Sequence, residues 1–153
     1  MFQLASGTKM THVPFRSTAD EMNSMLGGHI DLAIDSMTTL WPQAQAGAVR
    51  AIAVTSAKRV PTAPDLPTIG ETLNGFSVSG WQGLFAPAGT PRQVIDWVNV
   101  EARKAFEPAE VRQRFVSQGA SLPLGTPDEF AAHTTAERVK WGEVIRRANI
   151  RLE

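Results

Sequence analysis

The chain has 153 residues, 42% of them hydrophobic and 20% charged, which suits one ordinary soluble domain or two small lobes with a shared border. Its 15 basic and 15 acidic residues cancel, leaving no electrostatic footprint for nucleic acid or an anionic membrane. With no cysteine, disulfides, thiolate catalysis and cysteine-ligated metal are excluded, and no apolar run approaches the ~18–20 residues of a membrane span.

The opening "MFQLASG" reads as the last turn of a helix stopped by Gly7, and it has neither the basic start nor the long apolar run of a signal peptide. A domain seldom starts on the end of an element, so the expectation is a chain that is part of something longer. Met10 to Phe15 reads as a short strand. Thr18-Ala-Asp-Glu21 matches a capping box, with Thr18 as N-cap, and Met22, Met25 and Leu26 give the following helix an apolar stripe before Gly27-Gly28 end it.

Ile30 to Ile34 reads as a second strand ending at Asp35. A helix follows from Ser36 to Gly47, in which Pro42 is tolerable only if it lies in the first turn. Val49 to Thr55 is a third strand, apolar on both faces apart from Arg50. Near-continuous apolar strands alternating with helices predict a parallel sheet covered on both sides, so residues 10–56 read as β-α-β-α-β.

A proline-rich connection, "SAKRVPTAPDLPTIGETLNGF", follows, with a short helix at Thr68–Leu73. Ser77 to Ala86 is a strand interrupted by Gly80 and Gly83, where an isolated glycine marks a bulge or a close backbone approach. Three helices complete the chain: one with Pro91 at N1, reaching Phe106; one over Pro108–Gln118; and a longer one capped by Thr126-Pro-Asp-Glu129.

His12, His29 and His133 have no second ligand at metal spacing, and no phosphate loop, dinucleotide fingerprint or nucleophile elbow is present. Asp31 and Asp35 fall on one face of a strand, either as a carboxylate dyad or with Asp35 as a helix cap. The two strand-to-helix elbows, Pro14–Thr18 and Asp35–Thr38, are the best binding candidates. In open α/β sheets ligands lie beyond the carboxyl ends of strands, and helix N-termini offer unpaired N–H groups and a positive dipole end to an anion. Helix capping and ligand binding both fit these residues on spacing alone.

The motifs "GTKMTHVPFRSTADEMNSMLGGHIDLAIDS", "GAVRAIAVTSAKRVPTAPDLPTIGE" and "GWQGLFAPAGTP", followed by the tail "VRQRFVSQGASLPLGTPDEFAAHTTAERVKWGEVIRRANI", together resemble the tripartite tricarboxylate transporter substrate-binding proteins, also called the Bug family. The resemblance runs essentially the whole chain. It implies an α/β fold of the type II periplasmic-binding-protein kind, incomplete: residues 1–57 as part of the second lobe, and residues 58–153 as the crossover and the returning, mostly helical part of the first. Family members are much longer than this chain, with a signal peptide and a first-lobe segment supplying half of the carboxylate clamp.

The implied function is capture of a small carboxylate for delivery to membrane transporter subunits, in the periplasm, without catalysis, metal or cofactor. Carried over by position, the ligand-facing set is Phe15, Arg16, Ser17 and Thr18 at the first elbow and Asp35, Ser36 and Met37 at the second. Trp81 resembles a residue near hinge and cleft, with a purely packing role as the alternative. Ser17 stands where the family usually places glycine. A truncated, non-binding fragment and a small interaction or sensor module of the same fold are the other readings, and self-association through apolar surface is expected of a partial chain.

Overall fold

The structure, a computed structural model, describes residues 1–151. Six α-helices appear in chain order: α1 (Phe2–Ser6), α2 (Thr18–Leu26), α3 (Met37–Gln45), α4 (Arg92–Ala105), α5 (Ala109–Val116) and α6 (Pro127–Ala148), with a 3₁₀ turn at Ile69–Glu71 between α3 and α4. Gly7 stops α1 in the left-handed region, at φ 69°, as its sequence predicts. At α6 the predicted capping box forms: the Glu129 amide donates to Thr126 Oγ1 at 3.2 Å, and Glu129 Oε2 accepts from the Thr126 amide at 2.7 Å. Pro91 and Pro108 sit one position before their helices, as N-caps, so the predicted starts are early by a residue.

Two predictions fail locally. Pro42 lies inside α3, in its second turn, where it withholds a backbone donor from the preceding turn. The stretches 10–15, 30–34, 49–55 and 77–86 are not organised as strands. Among the described residues the sheet is reduced to one isolated parallel bridge between Val54 and Thr68. A strand exists only through its neighbour's hydrogen bonds, and most of these backbones have no neighbour in this chain.

Where the segments do find partners, a small knot forms. The Val54 amide donates to Pro67 O and the Ile69 amide to Val54 O, both at 2.9 Å, and the Val78 amide donates to Thr55 O at 2.8 Å. Thr68 and Glu71 make a second capping box, and Arg59 closes it from outside with an ion pair to Glu71 at 2.7 Å. The only buried hydrophobic residues among those described, Val54, Ala63 and Phe76, belong to this knot, and Phe2 of α1 packs edge-on to Phe76 at 6.1 Å between ring centres.

A second cluster joins segment 77–86 to the C-terminal helices. Trp81 meets Phe130 and His133 of α6 edge-on at 5.5 and 5.2 Å, and Phe85 lies 5.3 Å from Phe130. The Phe130 ring occupies the space that a side chain at Gly83 would need, so the close approach expected there is real; Gly80 faces open space. Arg92 of α4 grips Asp128 of α6 with two bonds, at 2.7 and 2.9 Å.

These clusters leave much of the chain uncovered. A folded monomer of 16.6 kDa exposes about 7,600 Å² by the usual size scaling. This chain exposes 11677 Å², about 4,100 Å² more.

Candidate functional site

At the first elbow Ser17, not Thr18, is the N-cap of α2. Its φ of −149° is ordinary extended backbone, so serine sits there without strain. Ser17 Oγ accepts from the Asp20 amide at 3.2 Å and donates to Asp20 Oδ2 at 2.8 Å. The N-cap is thus shifted by one residue, to Ser17, whose hydroxyl is spent on Asp20, and the reciprocal bond of a capping box is not made. Thr18 becomes the first helical residue.

Glu21, released from capping, turns toward the second elbow. Its carboxyl is pushed above the usual range, first by burial, then by the hydrogen bond it shares with Asp35, and by the charge of Asp35. The Glu21 and Asp35 carboxyls, fourteen positions apart, thus lie near each other between the starts of α2 and α3. Of the two carboxylates set on one strand face, Asp31 and Asp35, it is Asp35 that lies near Glu21.

At the second elbow Asp35 Oδ1 accepts from the Ser36 amide at 2.6 Å. Ser36, the N-cap of α3, uses its hydroxyl on Thr38 and Thr39, each at 3.0 Å, and caps no N–H group. The Met37 side chain is packed against Gly119, after α5: a side-chain carbon at Gly119 would come within 2.7 Å of it. Met37 therefore contributes its amide to this elbow while its side chain packs.

Four helix-start amides, those of Thr18, Ala19, Met37 and Thr38, make no hydrogen bond within the described chain. Each elbow thus keeps two donors at the positive end of a nine-residue helix. Arg16 is exposed beside the first elbow, outside any ion pair among the described residues, and Phe15 is half-buried next to it. Trp81, 41% exposed, lies edge-on to Phe130 and His133 of α6.

Two open clefts occur elsewhere: one of about 490 Å³ lined by Arg103, Glu107, Arg112, Val116, Leu122 and Leu124, and one of about 320 Å³ around Thr68, Glu71 and Phe76. Neither includes an elbow residue. No cluster of three or more metal-ligating side chains occurs among the described residues.

Two helix starts bearing free amides lie on a chain whose strands are incompletely paired, and its fold is that of part of a periplasmic binding protein. Solved neighbours agree. A protein of R. palustris crystallised with adipate superposes with a TM-score of 0.86 at 30% identity, over 97% of this chain and 50% of its own. The periplasmic binding protein BugD superposes with a TM-score of 0.85 at 34% identity, over 99% of this chain and 52% of its own. MatC from Rhodopseudomonas palustris, with bound malate, gives 0.80 at 30% identity, over 94% and 50%.

The family model described as "Tripartite tricarboxylate transporter family receptor" matches residues 1–150, and the chain belongs to that family. Among curated relatives, the UPF0065 protein in the tcbD-tcbE intergenic region of Pseudomonas sp. (strain P51) is 35% identical over 92% of this chain and 42% of its own length. Protein BugT of Bordetella pertussis (strain Tohama I) is 28% identical over 100% and 47%. The chain spans about half the length of most of the relatives and solved chains it matches.

Sequence reasoning missed Glu21 as a partner of Asp35. The signal was present but ambiguous: two overlapping patterns, Ser17 with Asp20 and Thr18 with Glu21, satisfy the same capping rule.

Proposed function

We propose that this chain is the carboxylate-binding part of a receptor that captures a small organic acid for a tripartite tricarboxylate-type membrane transporter, in the periplasm and without catalysis. Residues 1–57 serve as part of the second lobe, and residues 58–153 as the crossover and the returning part of the first. The observation that carries the reading is the set of four unpaired amides, Thr18, Ala19, Met37 and Thr38, at two helix starts tied by Glu21 and Asp35. A carboxylate accepts hydrogen bonds only, so paired helix N-termini suit it. Neighbours solved with adipate and with malate support the ligand class.

Two such helix ends contribute roughly 0.3–1 kcal/mol each at exposed sites, too little for tight binding alone. The chain by itself is therefore a weak binder. Isothermal titration with adipate, malate, succinate and citrate is expected to show no sub-micromolar affinity. Sub-micromolar binding by the chain alone would refute the view that its elbows are half of a cleft.

A further inference from the structure

We propose that Asn74 is a site of spontaneous covalent modification: its carboxamide is lost to the Gly75 amide through a cyclic imide, and isoaspartate accumulates in the turn that seats Phe76. Neither the modification nor its consequence draws on the carboxylate site. Three observations carry it.

The first is the pair of residues. Of the four asparagines in the chain, Asn74 alone precedes glycine. Glycine brings no side chain to hold its nitrogen off the carboxamide, and the attack is intramolecular, which raises its rate over that of a free amine. The other three asparagines are protected. Asn23 and Asn99 lie inside α2 and α4, where the following amide belongs to the helical ladder. The Asn99 carboxamide also donates to Gly125 O at 3.0 Å. After Asn149, the Ile150 amide donates to Ile145 O at 3.1 Å.

The second is access. Asn74 and Gly75 are both exposed. Among the described residues neither the Asn74 carboxamide nor the Gly75 amide makes a hydrogen bond, so none has to break before the nitrogen turns on the carboxamide. Gly75 holds a φ of 79°, and a side-chain carbon there would meet nothing within 4 Å. The turn has room to close a ring. The open cleft lined by Thr68, Glu71, Gly75 and Phe76 admits water beside it.

The bond changes balance with water alone. The Gly75 nitrogen bonds to Asn74 Cγ, the Cγ–Nδ2 bond breaks, and Nδ2 leaves as ammonia with the proton from Gly75. Water then opens the imide. Opening at Cγ leaves aspartate. Opening at the main-chain carbonyl leaves isoaspartate, whose backbone runs through the former side chain and is one carbon longer.

The third is place. Phe76 is 6% exposed, and its amide donates to Leu73 O at 2.9 Å, a bond that spans Asn74 and Gly75. Its carbonyl oxygen lies 2.8 Å from where a Cβ at Gly70 would stand, and its ring takes Phe2 edge-on. A longer backbone between Leu73 and Phe76 breaks that span and unseats the ring from the knot it shares with Val54 and Ala63. Either product also adds a negative charge close to Glu71, in a chain of formal net charge zero.

The test is ageing of the purified chain in mildly alkaline buffer, followed by tryptic mapping. The peptide from Val60 to Arg92 holds Asn74 as its single asparagine. It should gain the mass of an amide-to-acid exchange, and a group methylated by an isoaspartate-specific methyltransferase, roughly tenfold faster than the peptides carrying Asn23, Asn99 or Asn149. Asn74→Gln changes an exposed side chain, so it should leave helix content unchanged and abolish both signals. Hydrogen exchange reads the consequence: protection of the Phe76 amide should fall in the aged chain and persist in Asn74→Gln aged beside it. The proposal is overturned by a peptide that keeps its mass, by modification no faster than at the other asparagines, or by signals that survive in Asn74→Gln. Isoaspartate that leaves protection of the Phe76 amide unchanged overturns it as well.

Discussion

Replacing Gly83 with alanine tests whether the aromatic cluster is what holds segment 77–86 to α6. The Phe130 ring lies where the new Cβ must go, and the ring is held from its other sides by Trp81 and Phe85. Gly83 is not among the glycines of positive φ, so alanine meets no backbone penalty and the cost isolates the collision. Forcing one extra carbon into such a packed contact costs about 1–3 kcal/mol. For a chain of this size that lowers the melting temperature by about 2–12 °C. Thermal unfolding followed by tryptophan fluorescence measures it, since Trp81 reports on the same cluster. In a Phe130→Leu background the collision partner is smaller, so Gly83→Ala should cost less, with a coupling of about 0.5–3 kcal/mol. An unchanged melting temperature for Gly83→Ala, or an equal cost in both backgrounds, would refute the packing argument.

Two pH dependences follow from the carboxyls. Because the folded state raises the affinity of Glu21 for a proton, folding is disfavoured as pH rises through the window just above the ordinary carboxylate range. Glu21→Gln should flatten stability across that window and leave the chain at least as stable at neutral pH, as read by urea midpoints from pH 4.5 to 7; a loss of stability at neutral pH would contradict the Asp35 contact. Glu71 has the opposite sign. The Arg59 guanidinium, and then the Thr68 amide, hold its carboxyl down at about 2 from a reference of 4.5. Its contribution is present above the reference value and lost as pH falls toward about 2. Protection of the Thr68 amide relative to its intrinsic exchange rate should fall over that range, and Glu71→Gln should abolish that loss; an unaltered profile in the variant would count against the pair.

Much of the helical half was legible because its signals are local. Gly7, the Thr126–Glu129 box and the proline starts of α4 and α5 each lie within one turn of what they control. The segments around Leu32, Ile34 and Ile52 have the apolar pattern of strands and yet form no ladder, because a ladder needs a neighbour and pattern alone cannot supply one. The elbows fall between these cases. Their position at strand-to-helix junctions was legible. The shift of the cap from Thr18 to Ser17 was not, because Ser17 and Thr18 are adjacent hydroxyl residues, each followed three positions later by a carboxylate. For Trp81 the sequence carried both a cleft role, by resemblance, and a packing role, by size, but not its ring contacts to Phe130 and His133, which lie about fifty positions away.

The central claim, that the two helix starts are carboxylate donors, is tested most directly by nitrogen–proton correlation spectra of the isolated chain during titration with millimolar adipate and malate. The account predicts saturable shifts concentrated on the unpaired amides of Thr18, Ala19, Met37 and Thr38. Amides of that set that stay still while others move, for example around Arg103 and Arg112 in the larger cleft, would contradict it.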